Sequence, residues 1–332
     1  MSPTRRRTRI IAGGVALLVA IGLPLGWYQL SVQPGAALVR AAFESGPAVF
    51  AGGDITLDES GVTVSRDIAV QVDGAPDTSV EVHAPAGAGA GAGAAPVVLW
   101  IHGGGFVANH AADLAGYANV LARAGYVVVL LEYARAPEAR YPTPVIQADA
   151  ALGWIEATIA GYGGDPTRVF LGGDSAGAQL ASQLAAVETD TAFAAQLGIA
   201  PSIAAERIRG VVLFCGLYDM VTVGASGFPA LRTFLWAYTG EREWERWSRI
   251  GELSTTETAS AAYPPAFIGV GDADPFAGQG AELAAALEAR GVDVTTEFWT
   301  GRGLGHEYQF DFRLPEARET LAQTLAFLEE RS

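Results

Sequence analysis

Five short runs in this chain are almost free of polar side chains: VVLWI at 97–101, YVVVLLEY at 126–133, RVFLGG at 168–173, GVVLFC at 210–215 and AFIGVG at 266–271. A strand with one face in water alternates apolar and polar residues, so a strand apolar throughout must be covered on both faces, as central strands of parallel sheets are. Between the runs lie helix-length segments at Ala111–Ala124, Pro144–Ala160, Ala176–Val187 and Gly280–Arg290. Strand and helix in alternation predict one α/β domain, built on a mostly parallel sheet with right-handed crossovers and helices on both faces. Upstream, GVTVSRDIAVQV and TSVEVHAP alternate with the period of half-buried strands and read as an antiparallel pair. The stretch between Pro85 and Pro96 holds only Ala and Gly, too small to bury much surface, and reads as a flexible loop joining strands.

The N-terminus has a different character. Arg5, Arg6, Arg7 and Arg9 precede an uncharged segment, Ile10 to Leu30, that carries Trp27 and Tyr28 near its end. About 20 residues of apolar helix span a bilayer core, and flanking arginines stay on the cytoplasmic side. The expected order is a basic cytoplasmic flank at 1–9, a transmembrane anchor or signal segment at 10–30 and a linker with a share in a cap at 31–60. An α/β domain at 61–332, with a cap insertion at about 218–263, follows. An uncleaved anchor is preferred because no convincing small-x-small cleavage site follows. It would place the α/β domain outside the cell membrane, and cleavage would make the protein secreted instead.

Beyond residue 9 the chain holds 17 arginines against 36 acidic residues, a net charge of −19, which repels nucleic acid and anionic lipid. It contains no lysine, which excludes Schiff-base chemistry and a Ser-Lys dyad. The single cysteine, Cys215, permits neither an internal disulfide nor a thiolate cluster and reads as a buried apolar thiol. No metal or organic cofactor is expected, and nothing in the sequence sets an oligomeric state.

Ligands of parallel sheets collect beyond the carboxyl ends of the strands. At the end of one apolar run stands VFLGGDSAGAQLA, in which Ser175 lies between Gly173 and Gly177 and opens a helical pattern. Glycines there let strand and helix approach closely around a strained serine, and the amides at the helix start face a developing negative charge. After another run, His102 opens HGGGF, whose three glycines can turn backbone amides into a cavity as an oxyanion hole, completed by the amide after the nucleophile. Four histidines compete for the role of base. His83 lies in an edge-like strand, His102 belongs to the glycine loop, His110 opens a helix, and His306 follows the run VTTEFW at a strand's carboxyl end. For the acid that orients the imidazole, Asp219, Asp272 and Asp274 all stand at strand ends.

These motifs together resemble the hormone-sensitive-lipase-like esterases of the α/β-hydrolase superfamily, from about Pro96 to the C-terminus. HGGGF is similar to that family's oxyanion motif and GDSAG to its nucleophile elbow. LEYARAPEARYPTPVIQADAALGW resembles the segment between them, and GGDPTRVFLGG its run into the elbow strand. The resemblance implies Ser175 as nucleophile, His306 as base and the amides of Gly104, Gly105 and Ala176 as oxyanion donors. It also implies Asp274 as the acid, from the Asp-Pro-aliphatic pattern matched by DPF. Two departures stand out: FAGQG follows Asp274-Pro275 where charged residues are usual, and Glu307 follows His306 where the family has Gly. The aromatic-rich stretch Tyr218 to Tyr263 reads as a pair of amphipathic helices packed on the body, and also as a cap lining an apolar pocket. The expected activity is hydrolysis of small to medium, apolar carboxylic esters through an acyl-enzyme. The alternatives are a catalytically silent binding protein of the same fold, and an amidase or peptidase using the same triad.

Overall fold

A computed structural model of the protein describes residues 30–45, 58–88 and 93–332. Among the described residues the first elements are helix α1 (Gln33–Ser45) and the strands β1 (Val62–Val70), β2 (Thr78–Pro85) and β3 (Ala95–Ile101). Helix α2 (Ala115–Arg123), β4 (Val127–Glu132), α3 (Thr143–Thr158), β5 (Gly164–Asp174) and α4 (Ala176–Thr189) follow. Then come α5 (Thr191–Leu197), β6 (Ile208–Phe214), α6 (Leu231–Thr239) and the single-turn α7 (Thr255–Thr258). The last elements are β7 (Ala266–Val270), α8 (Ala277–Glu288), β8 (Val294–Phe298) and α9 (Pro315–Glu330).

The strands form one eight-stranded sheet in the order β1-β2-β4-β3-β5-β6-β7-β8. The pairs β1/β2 and β2/β4 are antiparallel and all others are parallel. The apolar runs are buried on both faces because successive side chains enter different cores. Val97, Leu99 and Ile101 join one core with residues of α3, α4 and α8, whereas Val98 and Trp100 join the other with α2 and α9. The same alternation holds along β4, β5 and β6. Each core strand therefore needs apolar residues at every position, which is why its sequence shows no period of two.

Register decides where the loops emerge. Ile101 lies opposite Gly173, Asp174 opposite Phe214, and Phe214 opposite Gly269, so β3, β5, β6 and β7 end nearly level. The loops after these strands converge on one patch beyond their carboxyl ends.

Two expectations are corrected. The segment 218–263 is not a pair of helices: α6 is its one helix longer than a single turn, joined by 3₁₀ turns at Val223–Ala225, Trp244–Arg246 and Ile250–Leu253. A helix from the N-terminal side lies against it instead, since α1 packs on α6 so closely that a Cβ at Gly35 would lie 3.0 Å from Thr233. His83 is not at an edge. It is fully buried on β2, with Nδ1 2.7 Å from Asn119 Oδ1 and Nε2 2.8 Å from Glu81 Oε1. No helix among the described residues is long and apolar enough to cross a membrane, and the segment expected to do so, 10–30, lies outside them except for Leu30. The middle of the Ala-Gly loop, 89–92, also lies outside them.

One side chain fastens α1 to the body. Arg40 donates from Nε to the Val107 carbonyl at 2.6 Å and from a guanidinium nitrogen to the Ala136 carbonyl at 2.7 Å, and it pairs with Glu138. These bonds tie α1 to the turn after the glycine loop. Arg40→Ala is expected to destabilise the protein by about 1–3 kcal/mol in urea unfolding, because charge-assisted bonds to partly buried carbonyls are lost. It should also make 33–45 the first site of limited proteolysis; an unchanged digestion pattern would mean that apolar contacts alone hold the helix.

Candidate active site

The elbow is formed by steric demand. Ser175 sits between β5 and α4 with φ 53° and ψ −119°, a backbone conformation that costs of order 1–3 kcal/mol in a residue with a side chain. It is held there because neighbouring backbone approaches too closely for alternatives. A Cβ at Gly173 would lie 2.4 Å from the Gly177 carbonyl oxygen, and one at Gly177 only 2.0 Å from that of Ile101. The Ser175 N–H donates to the Phe214 carbonyl at 2.8 Å, which fixes the serine against β6 as well.

The other two candidate side chains arrive from the far half of the sheet. His306 Nε2 lies 3.0 Å from Ser175 Oγ, and His306 Nδ1 lies 2.9 Å from Asp274 Oδ2. Asp274 is buried in the loop after β7, and its other oxygen accepts the Phe276 N–H at 2.7 Å. The remaining candidate acids are engaged elsewhere. Asp272 accepts the N–H groups of Arg302, Gly303 and Leu304 at 2.7, 3.1 and 2.7 Å, and these bonds hold its carboxyl below the usual range. It therefore shapes the loop that carries His306 without touching the imidazole. Asp219 caps its own turn through Val221 and Thr222 and bonds Thr256.

The glycine loop reaches the same place. Gly104 (φ 107°) and Gly105 (φ 59°) line a cavity of 430 Å³ together with Ser175, Ala176 and His306. Among the described residues neither glycine N–H donates to an acceptor, so both amides remain available, and Ala176 adds the first amide of α4. A side chain at Gly105 would strike the Phe234 ring of α6 at 2.8 Å. Leu217, Phe228, Leu231, Phe234 and Phe276 give the wall an apolar side, and Glu307, Asp311 and Arg313 add charged groups to it. The aromatic stretch thus covers the cavity, and Phe106 stacks on Tyr238 at 4.0 Å to bind glycine loop and α6 together.

His102 does not reach the cavity chemistry. It is buried, its Nδ1 donates to the Gly103 carbonyl at 2.7 Å, its ring stacks on Tyr133, and burial pushes its pKa down to about 4, so it stays neutral. His110 is at the surface, bridging Glu132 and Arg135. Cys215 is buried just after β6, where Gln309 donates to its sulfur and burial pushes the thiol well up. Its sulfur lies with donors of His306 and Glu307 within 4.8 Å. Both imidazole nitrogens already face Ser175 and Asp274, and the thiol is held protonated, so this group is a poor ligand set for a metal.

Sequence patterning assigns no role to Asp174, the residue before the serine. It is buried, with Oδ1 accepting Trp100 Nε1–H at 3.0 Å and Oδ2 accepting the Gly103 N–H at 2.8 Å. It thereby locks the glycine loop to the elbow. The available signal was an acidic residue inside an otherwise small and apolar motif, a position where burial demands partners.

Comparison with known proteins identifies the family of the chain. The profile of the alpha/beta hydrolase fold family matches residues 98–309. Carboxylesterase NlhH of Mycobacterium tuberculosis is 29% identical over 265 residues, covering 78% of this chain and 80% of that protein. Esterase LipI of the same organism is 30% identical over 218 residues, covering 64% of this chain and 66% of its own. Among solved structures, a bacterial heroin esterase superposes with a TM-score of 0.71 at 25% identity, covering 91% of this chain and 92% of that one. Esterase B from Lactobacillus rhamnosis shares the fold with a TM-score of 0.75 at 22% identity, covering 90% and 93%. With its parallel sheet, serine elbow and glycine loop, this chain belongs to the hormone-sensitive-lipase-like branch of the alpha/beta hydrolase fold family, as a carboxylesterase-like hydrolase.

Proposed function

We propose that the protein hydrolyses small to medium apolar carboxylic esters through a Ser175–His306–Asp274 triad. The observation that carries this reading is the unbroken hydrogen-bond chain from Ser175 Oγ to His306 to Asp274, opening on a cavity that also presents the amides of Gly104, Gly105 and Ala176. Asp274 accepts the His306 Nδ1–H and leaves Nε2 to take the serine proton. The serine oxygen attacks the ester carbonyl, and the three amides donate to the oxyanion of the tetrahedral intermediate. Collapse expels the alcohol, protonated by His306, and leaves an acyl-enzyme. Water, deprotonated by His306, then attacks the acyl carbonyl and releases the acid. The phenylalanine-rich wall supports an apolar acyl or alcohol group. At the mouth, Arg313 is paired with Asp311, so its charge is already partnered. The apolar segment 10–30 behind four arginines supports an anchor that leaves this domain outside the membrane.

Ser175→Ala is expected to lower turnover of a p-nitrophenyl ester by at least about 10³-fold and to abolish labelling by a fluorophosphonate probe. A protein that binds without catalysis would not be labelled even with the serine present. Rates over p-nitrophenyl esters of increasing chain length, with a p-nitroanilide alongside, will rank acyl length and separate an esterase from an amidase.

The two neighbouring aspartates should respond differently. Asp274→Asn should cost most of the turnover with little loss of stability. Asp272→Asn should instead lower stability in a pH-dependent way. The folded-state pKa of Asp272 is depressed, so its contribution is present above the unfolded value of about 4 and is lost as pH falls through the folded value. The Tm difference between wild type and Asp272→Asn should thus be largest near neutrality and shrink in acid, and equal activity losses in the two variants would contradict the assignment of the acid. N-terminal sequencing of the mature protein tests the anchor, since a start beyond about residue 30 would show cleavage.

A further inference from the structure

Glu307 occupies a position that its own backbone disfavours. Its φ of 60° is the left-handed region where glycine is unstrained and a side chain is not. The side chain turns inward, keeps 15% exposure at the cavity wall, and places Oε1 3.7 Å from His306 Nε2. There it faces the Asp174 carboxyl. Both carboxyls close around Gly103, where a Cβ would lie 2.5 Å from Asp174 Oδ2 and 3.1 Å from Glu307 Oε1. Two carboxyls can bond each other only if one holds a proton. Asp174 already accepts from Trp100 and Gly103, which favours its anion, whereas nothing among the described residues donates to Glu307.

We propose that Glu307 is a positioning residue whose carboxyl proton, donated to Asp174, latches the His306 loop to the serine elbow and through Asp174 to the glycine loop. One bond network then spans the loops after β3, β5 and β8, which carry the oxyanion amides, the nucleophile and the base. The inference rests on the esterase reading above.

The proton matters as much as the contact. The ionisable groups facing Glu307 are Asp174 from the elbow, Asp274 from the loop after β7, Cys215 from the end of β6 and its neighbour His306. Burial, and after it the carboxylates of Asp174 and Asp274, push the Glu307 carboxyl well above the usual range. Once ionised, Glu307 would repel Asp174 and break the latch. It would also draw the imidazole proton toward Nε2, the nitrogen that must stay open to accept from Ser175, and would oppose the negative charge forming at the amides of Gly104 and Gly105. Activity should therefore fall on the alkaline side as this proton is lost.

Three forms of the full chain separate the inference from a merely structural role. Glu307→Gln keeps a neutral donor for Asp174, and should keep kcat within about threefold of wild type at neutral pH while losing the alkaline decline. Glu307→Gly relieves the backbone strain and removes the donor. It should fold at least as well as wild type but lose about tenfold in kcat, with KM within about twofold, since one charge-assisted bond near the reacting groups is gone. A Glu307→Gly enzyme with wild-type kcat would overturn the proposal. So would a KM effect without a kcat effect, or a Glu307→Gln profile that superposes on the wild type in alkali. Fluorophosphonate labelling keeps the two readings apart: an unlabelled wild type refutes the nucleophile, whereas equal labelling rates in all three forms refute only the latch.

Discussion

The site depends on one backbone contact, where the first turn of α4 lies against the carboxyl end of β3. At Gly177 no side chain fits, because the Ile101 and His102 carbonyl oxygens lie where a Cβ would be, at 2.0 and 2.5 Å. At Gly172 the Trp100 ring occupies the same place, at 2.4 Å. Helix and strand are thus nearer than any residue but glycine allows, and this brings the amides of the glycine loop beside the serine. The strain at Ser175 persists because β3 and β6 both hold the elbow from outside, the latter through the Phe214 carbonyl. The reactive geometry is in this sense a property of the sheet, and the loops inherit it.

The sheet transmits that geometry through its two cores. Each central strand divides its side chains between them, so a shift of one residue would exchange apolar residues of different size across the sheet rather than expose them. Register is held by parallel ladders on both sides of β3, β5, β6 and β7, and it sets the level at which each loop departs. Asp274 and His306 come from the loops after β7 and β8, yet meet Ser175 within hydrogen-bond reach because those strands run beside β6 in order.

Much of this was legible in the sequence because the constraints are local. Buried central strands must be apolar throughout, an elbow must have small neighbours, and an amide-lined cavity favours glycine, so each leaves a mark within a few residues. What was not legible depends on contacts between distant segments. Arg40 lies in a stretch without strong pattern, and only its seat on the Val107 and Ala136 carbonyls gives it a function. His83 alternates like an edge-strand residue, but β1 beyond it and α2 above it bury it completely. The aromatic stretch over 218–263 reads as amphipathic helices because its rings are interleaved with charges and it shows no clear strand. Much of it is instead loop and short turns around α6, with Phe228 and Phe234 meeting the cavity and Thr233 meeting α1, an outcome set by packing rather than by propensity. Glu307 was visible as an oddity, though its partner Asp174, 133 positions earlier, was not.

The acidic excess of the chain also acquires a structural meaning. With no lysine and an arginine count well below its acids, many carboxylates lack a cation and use backbone N–H groups instead. Asp58, Asp190 and Asp219 each accept from amides two or three residues ahead, so that the charge is spent within its own turn. The same device is placed at the site: Asp272 shapes the approach to His306, Asp274 holds the Phe276 amide beside its histidine, and Asp174 holds Gly103. The strands below are stabilised by apolar burial, which does not titrate, whereas the loops above them are stabilised by carboxylates, which do. The rigidity of the candidate site and that of its scaffold therefore rest on different physics, and acid acts on the first before the second.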